Sequence, residues 1–427
     1  MMSPSRQGTL VLGIAVLAVS GVGAWFFGFT KQAWTPAGAL RQEAYVWQRR
    51  WNNDVRESVT RAQDLLDGLC VEVAEMSRRN GKIEVANSGV DWSVLAALKK
   101  PVGLAWRIGA PVIAQGWTKD VRAETGRMIF DSLAKARQKG IAISEAQIDC
   151  DCPARLLGDY AKFIKSLRSQ DGSVRWTFTA LPSWLHSSEF RRLAKAAEGY
   201  VLQVHWLRPD PFEKGKATLM ISKEAREAVA QASRFGVPFR VALPTYGSAV
   251  ITDAGGRWLD VLSEERSDPP GGAQLIEARS WPEECLALVA DWKAKRPPWL
   301  TGIIWYRLPV AADRRNWSWP QFEAVVGGRL PLAKFEITLQ PKLEGWEDVI
   351  LRNSGDGDEF APRTITISST GILASDGVNG YHAEEIADGE IRFFTGKASR
   401  LKAGQTLSAG WLRRGKVGTT FTMKFEP

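Results

Sequence analysis

The chain has 427 residues, 44% hydrophobic and 24% charged, a globular composition long enough for two domains that excludes a disordered or fibrous protein. The formal charge is +9, but Lys and Arg are dispersed without a basic tract, so a solvated surface explains the charge and no nucleic-acid partner is expected. Cys70, Cys150, Cys152 and Cys285 are too few for a disulfide scaffold. They read as buried thiols, with a Cys70–Cys152 bridge as the alternative in an oxidising compartment; Cys150 and Cys152 are too close along one strand to bridge each other comfortably.

Residues 1–30 form a signal or anchor segment. Thr9 to Phe29 is apolar and uncharged, behind Arg6, and just long enough to span a bilayer. Val22-Gly23-Ala24 offers a cleavage site, whereas Trp25-Phe26-Phe27 directly behind it favours an uncleaved anchor with an aromatic belt. Both readings place the rest of the chain outside the cytoplasm, in the periplasm or on the outer face of the inner membrane, anchored or secreted. The membrane is met only through this segment.

Residues 40–328 alternate strand-like and helix-like blocks. Strands are predicted at Ala44–Arg49, Cys70–Met76, Gly103–Ile108, Ala146–Asp151, Arg175–Leu181, Val201–Leu207, Phe239–Pro244 and Gly302–Leu308. Amphipathic helices are predicted between them at Asp54–Leu66, Lys119–Lys139, Ala154–Arg168, Ser188–Ala197, Lys223–Phe235 and Glu283–Lys295. About eight β-α units over this length match an α/β fold of the (β/α)8 TIM-barrel type. No G-x-G-x-x-G turn follows the first strand, which removes the usual dinucleotide reading. Ser248–Ser280, with its Pro269-Pro270-Gly271-Gly272 turn, is expected to shape the rim. Residues 330–427 change texture to short alternating strands separated by Gly, Asp, Asn and Ser, the pattern of a small β-sandwich. Asp356-Gly357-Asp358 lacks the spaced ligands of a calcium loop and reads as a turn.

The chemistry is expected at the C-terminal ends of the barrel strands. Alternation puts Gln147, Asp149 and Asp151 on one face of the fourth strand and Ile148 and Cys150 on the other. Two acids so close in a partly dry cavity repel, and one should keep its proton near neutral pH. The bland alternative has them capping the next helix and pairing with Arg107. By the same alternation Tyr45, Trp47 and Arg49 share a face, as do Gln203 and His205. The second strand offers Glu72, with Glu75 on the opposite face, and either could turn into the mouth at a bulged end. Nineteen tryptophans beside these acids suit the flat C–H faces of sugars; most must be filler, with Trp47, Trp184 and Trp305 selected as ligand-facing. Neither a metal nor another cofactor is expected, because the barrel has only His186 and His205 and no clustered ligands.

Ala44-Tyr45-Val46-Trp47-Gln48-Arg49-Arg50-Trp51, Gln147-Ile148-Asp149-Cys150-Asp151, Thr179-Ala180-Leu181-Pro182-Ser183-Trp184-Leu185, Gln203-Val204-His205 and Ala242-Leu243-Pro244-Thr245-Tyr246-Gly247 together resemble a bacterial family, domain of unknown function 3142. That resemblance implies a glycoside-hydrolase-like TIM barrel in an exported protein. The fourth strand is also similar to the D-x-x-D-x-D-x-E signature of chitinase-like (family 18) glycosidases. Asp149 and Asp151 match its last two aspartates, while Ala146 and Pro153 stand at the first Asp and the final Glu. The expected function is therefore a barrel that cleaves or binds a polysaccharide or oligosaccharide. Asp149, Asp151 and Glu72 are the candidate catalytic acids, with Asp151 as general acid and Asp149 orienting it or carrying charge, and Tyr45, Trp47, Arg107, Trp184, Gln203, His205, Tyr246 and Trp305 are the candidate sugar contacts. The alternative is a non-catalytic carbohydrate-binding, envelope-assembly or scaffold protein.

Overall fold

The computed structural model describes residues 38–415 and 422–426, apart from 214, 254, 263–273 and 344. The expected signal or anchor segment at 1–30 and the Pro269-Pro270-Gly271-Gly272 turn lie outside the described residues. Among those described, no helix is long and apolar enough to cross a membrane.

Eight parallel strands close on themselves in chain order: β1 (Arg41–Val46), β2 (Gly68–Arg79), β3 (Val102–Ile108), β4 (Ile143–Cys150), β5 (Arg175–Ala180), β6 (Tyr200–Gln203), β7 (Phe239–Pro244) and β8 (Leu300–Tyr306). Each pairs with its successor, and β8 returns to β1 with Gly302 opposite Arg41 and Trp305 opposite Ala44. Eight helices follow the strands: α1 (Asn53–Leu65), α2 (Trp92–Ala96), α3 (Lys119–Gln138), α4 (Leu157–Gln170), α5 (Ser188–Ala196), α6 (Ser222–Ala232), α7 (Pro282–Ala294) and α8 (Trp319–Val326). Short polar side chains start several of them: Asn52, Thr118 and Ser318 accept from the backbone N–H three residues on, satisfying donors that the first turn leaves open.

The outward faces of the strands and the inward faces of the helices form one core, in which Trp106, Ile148, Trp176, Phe178 and Trp305 are buried. A smaller cluster fills the barrel itself, with Tyr45, Cys70, Ala105, Val201, Ala242 and Ile304. Below it, at the N-terminal ends of the strands, Arg240 bonds Glu43 and both oxygens of Glu145 (2.6 and 2.7 Å), and Arg175 adds a contact to Glu145 at 2.9 Å. Gly103 leaves the room for this: a Cβ there would lie 2.9 Å from Glu145 Cγ and 3.3 Å from Cys70 Sγ. All four cysteines are free and buried, so the Cys70–Cys152 bridge is not formed.

The predicted strands recur with edges shifted. The sixth is shorter than Val201–Leu207 because the chain leaves the barrel after Gln203 and Trp206 N–H bonds Leu219 O. Two additions were not legible: β2 continues to Arg79 and folds back as a hairpin through Lys82–Asn87, and Gly247–Thr252, Trp258–Leu262 and Gln274–Arg279 form a three-stranded antiparallel sheet after β7.

Beyond α8 two four-stranded sheets face each other. One contains Phe335–Leu343 (β9), Trp346–Asn353 (β10), Ile372–Gly377 (β12) and Thr406–Arg414 (β15), in the order β9-β10-β15-β12. The other contains Thr364–Ser368 (β11), His382–Ala387 (β13), Glu390–Phe394 (β14) and Thr422–Glu426 (β16), in the order β13-β14-β11-β16. Val349, Leu351, Ile365, Ile391, Phe393 and Leu412 lie buried between them. The Asp356-Gly357-Asp358 turn ties this sandwich to the barrel. Asp358 accepts from Ser318 N (2.9 Å), Ala403 N (3.0 Å) and Arg400 Nη2 (3.0 Å), and its own N–H donates to Gln321 of α8 (2.7 Å).

Candidate active site

The C-terminal ends of the strands open into a cleft of about 710 Å³, within the size range of small-ligand sites. Its two sides differ in chemistry. One is an arc of rings: Trp47 lies 5.2 Å from Tyr45 and 5.7 Å from Tyr306, Tyr306 stacks on His205 at 5.3 Å, and Tyr246 closes on both Tyr306 and His205. The other is built on one guanidinium. Arg107 lies 3.5 Å from Glu75, 3.5 Å from Asp149 and 3.9 Å from Asp151.

Register explains how these acids converge. Asp149 stands opposite Arg107 across the β3–β4 pair, so alternation carries both inward. On β2 a bulge intervenes: Glu72 is opposite Ala105, Ala74 opposite Trp106 and Glu75 opposite Arg107. The extra residue restores the phase, and Glu72 and Glu75, three apart, face the same way. Glu75 also bonds Arg49 at the rim. The sequence suggested that either glutamate could turn inward at a bulge; both do.

The two deepest carboxyls resist ionisation. Burial pushes Asp149 up to about 6 and Asp151 adds to that, against the opposing pull of Arg107 and a bond from the Thr179 hydroxyl. Glu72 is 1% exposed, and neither of its carboxyl oxygens has a hydrogen-bond partner. Burial, opposed by Arg49 and reinforced by Glu75, pushes it up to about 7. His205 is buried too, which lowers it to about 3 and keeps the ring neutral. Its Nδ1 faces the Tyr246 hydroxyl at 3.4 Å, and its Nε2 has no partner.

The structure brings together Asp149, Asp151, Arg107, Tyr45, Trp47, Gln203, His205 and Tyr246 around the cleft. Glu72 is inward-facing but lies beneath the cleft surface. Two selections are corrected. Trp184 is 2% exposed in a 3-10 turn and stacks on Phe178 among the helices. Trp305 is fully buried against Trp317 and Phe322, with its indole N–H on Gln42. Alternation on β8 puts Ile304 and Tyr306 inside, so Trp305 must face the helices. Tyr306 is the ring that this strand contributes, and the parity of Gly302 and Ile304 would have found it. The capping alternative for Asp151 fails: neither the 3-10 turn at Ala154–Leu156 nor α4 has a side-chain cap. Instead Cys152 N–H closes on Cys150 O at 2.7 Å, and the Asp151 side chain stays 56% exposed in the mouth. The Tyr306–Arg307 peptide is cis. Among the described residues no group of three or more His, Cys, Asp or Glu side chains is arranged to hold a metal ion.

Residues 116–311 match a family described as "Domain of unknown function (DUF3142)". The resemblance to DUF3142 holds over that segment. It is narrower than the stretch that suggested it: Asp149, Asp151, His205, Tyr246 and Tyr306 fall inside the DUF3142 segment, whereas Tyr45, Trp47, Glu72, Glu75 and Arg107 precede it. Residues 337–414 match a second family, "Domain of unknown function (DUF8456)". No curated protein matches the chain. Similar solved structures include the spore cortex-lytic enzyme SleL of Bacillus cereus, 11% identical over 69% of this chain and 76% of its own, with a TM-score of 0.47. A chitinase of Chromobacterium violaceum is 14% identical over 68% and 98%, and a GH18 chitinase of Flavobacterium johnsoniae 14% identical over 68% and 94%, both with a TM-score of 0.45. Likeness at this level is weak, and the barrel assignment rests on the strand order itself.

Proposed function

We propose that the cleft takes a sugar unit of a polysaccharide or oligosaccharide and that the protein is a glycoside-hydrolase-like enzyme. The observation that carries this reading is a buried carboxyl, Asp149, lining the same cleft as an arc of aromatic rings. Rings such as Trp47 and Tyr306 suit the C–H face of a pyranose, while Gln203, Arg107 and Asp151 suit its hydroxyls. Glycoside cleavage needs one carboxyl that gives a proton to the leaving oxygen and a second that meets the developing charge or activates water. Burial assigns the first role to Asp149. Asp151, on the same guanidinium but open to the cleft, is the second. This reverses the roles expected from the sequence, in which Asp151 is the general acid.

The rate is then expected to fall as pH rises through about 6, where Asp149 loses the proton it must donate. A rate that rises through that range would sink the assignment. Asp149→Asn is expected to abolish cleavage while keeping binding on a glycan array. The second reading is a barrel that binds without cleaving, and it is favoured by Pro153, which opens a 3-10 turn where the family 18 signature has Glu. Wild-type binding without cleavage of any glycan would establish that reading; no glycan bound would overturn both. Export across the inner membrane, proposed from Thr9 to Phe29, is tested by cell fractionation with and without residues 1–30.

A further inference from the structure

The sandwich carries two of the 19 tryptophans, Trp346 and Trp411, and neither belongs to its core. Both stand on the outer face of the same sheet. Register sets out that face as two rows across the strands. In one, Leu343 is paired with Trp346, Trp346 with Arg413, and Arg413 with Ala374. In the other, Gln340 is paired with Asp348, Asp348 with Trp411, and Trp411 with Asp376. Trp346 and Trp411 are therefore diagonal neighbours, and their rings meet with centroids 4.7 Å apart at 45°. Both remain partly open to solvent. Arg413 lies 5.5 Å over the Trp346 ring, and Lys342 bonds Asp348 at 3.1 Å.

A cross-strand indole pair stabilises a sheet by itself. The surroundings go further than that. The apolar surface consists mainly of flat indole, with Leu343 as the exposed aliphatic neighbour, and hydrogen-bonding side chains border it on every strand. The charges around it, Lys342 and Arg413 against Asp348 and Asp376, balance. A balanced border gives no handle to an acidic or basic polymer. A flat apolar floor ringed by donors and acceptors matches an uncharged ring with one C–H face and hydroxyls at its edge.

We propose that this sheet face is a second carbohydrate-binding site, which holds an uncharged polysaccharide through Trp346 and Trp411. The choice of a glycan rests on the reading of the barrel cleft, but the surface is separate from it in residues and in domain. Binding here tethers the protein to the polymer while the cleft samples its ends and branches. One indole presents its face to a sugar ring, and Asp348, Asp376 and Arg413 take hydroxyls at its margin.

The test is retention of the purified full chain on insoluble cellulose and chitin, and affinity electrophoresis through soluble glucan, xylan and, as the charged comparison, polygalacturonate. Trp346→Ala/Trp411→Ala is expected to weaken retention on an uncharged polysaccharide at least tenfold with an unchanged melting temperature. Trp346→Phe/Trp411→Tyr, which keeps flat faces, is expected to recover most of it and serves if the alanine variant does not fold. Retention on an uncharged polysaccharide that is unchanged in both tryptophan variants would leave the cleft reading standing and overturn this one. So would retention of the wild type on polygalacturonate alone, or on none of the polymers. A wild-type dimer in solution that the tryptophan variants turn into monomers, with glycan binding unchanged, would show the face to be a contact between copies and overturn it as well.

Discussion

Replacing Arg240 by methionine is expected to destabilise the protein by about 3–5 kcal/mol, the scale for removing one partner of a buried ion pair. The residue is 5% exposed and is the only cation among the described residues that bonds both Glu43 and Glu145. Without it two buried carboxylates face each other at the closed end of the barrel. The pH dependence has a definite sign. Burial works against the Glu145 charge, but Arg240, Arg175 and their hydrogen bonds outweigh it, so its carboxyl sits below its ordinary value. The stability that this contributes is present above the unfolded value and lost as pH falls through the folded one. The gap between wild type and Arg240→Met should accordingly be widest near neutrality and narrow in acid. Urea denaturation at pH 7 and pH 4 measures it, and equal midpoints at pH 7 would disprove the account. Substituting all three charges by apolar residues of similar volume is expected to restore most of the loss.

Glu72→Gln is expected to act in the opposite direction. The acid moves from an ordinary value of 4.5 to about 7 in the fold, a difference worth about 3 kcal/mol. A raised folded value means that the native state holds the proton longer, so stability is complete below pH 4.5 and is lost as pH rises through about 7. Glutamine has no proton to lose. The variant should therefore match the wild type near pH 4.5 and exceed it by about 3 kcal/mol at pH 8. Thermal or urea melts at the two pH values decide it, and a gap that does not widen with pH would mean that Glu72 is not the titrating group. A chain that keeps a buried acid at this cost places it next to Asp149, Glu75 and Arg107, where polar groups are expected to trade stability for chemistry.

Much of this architecture was legible in the residues. The β-α alternation announces a parallel barrel because parallel strands need crossovers, and the crossovers here carry clear helical periodicity. Asp149, Arg107, Gln203 and His205 were found by parity alone. Parity failed where the ladder is irregular or the phase was misjudged. Glu72 and Glu75 differ in parity, and no local property of Glu72-Val73-Ala74-Glu75 reveals which residue bulges. Trp305 has the opposite parity to Gly302, Ile304 and Tyr306, and that second set is the one that faces inward. Trp184 follows the end of β5, and nothing in Pro182-Ser183-Trp184 tells whether the turn rolls over the mouth or tucks beneath the helices. The hairpin at Lys82–Asn87 and the small sheet after β7 are insertions that lie outside the repeating unit, so the repeat offers no signal for them.

The charged plug at the base of the barrel has a consequence for traffic. Arg240 with its two glutamates, and Tyr45 bonded to Gln147 above them at 2.8 Å, leave the cleft one opening. Whatever enters must back out by the same route, so a long chain is unable to thread through. Such a polymer would meet Asp149 only from the mouth, lying across the rim. The barrel is a dead end, so entry and exit share the mouth.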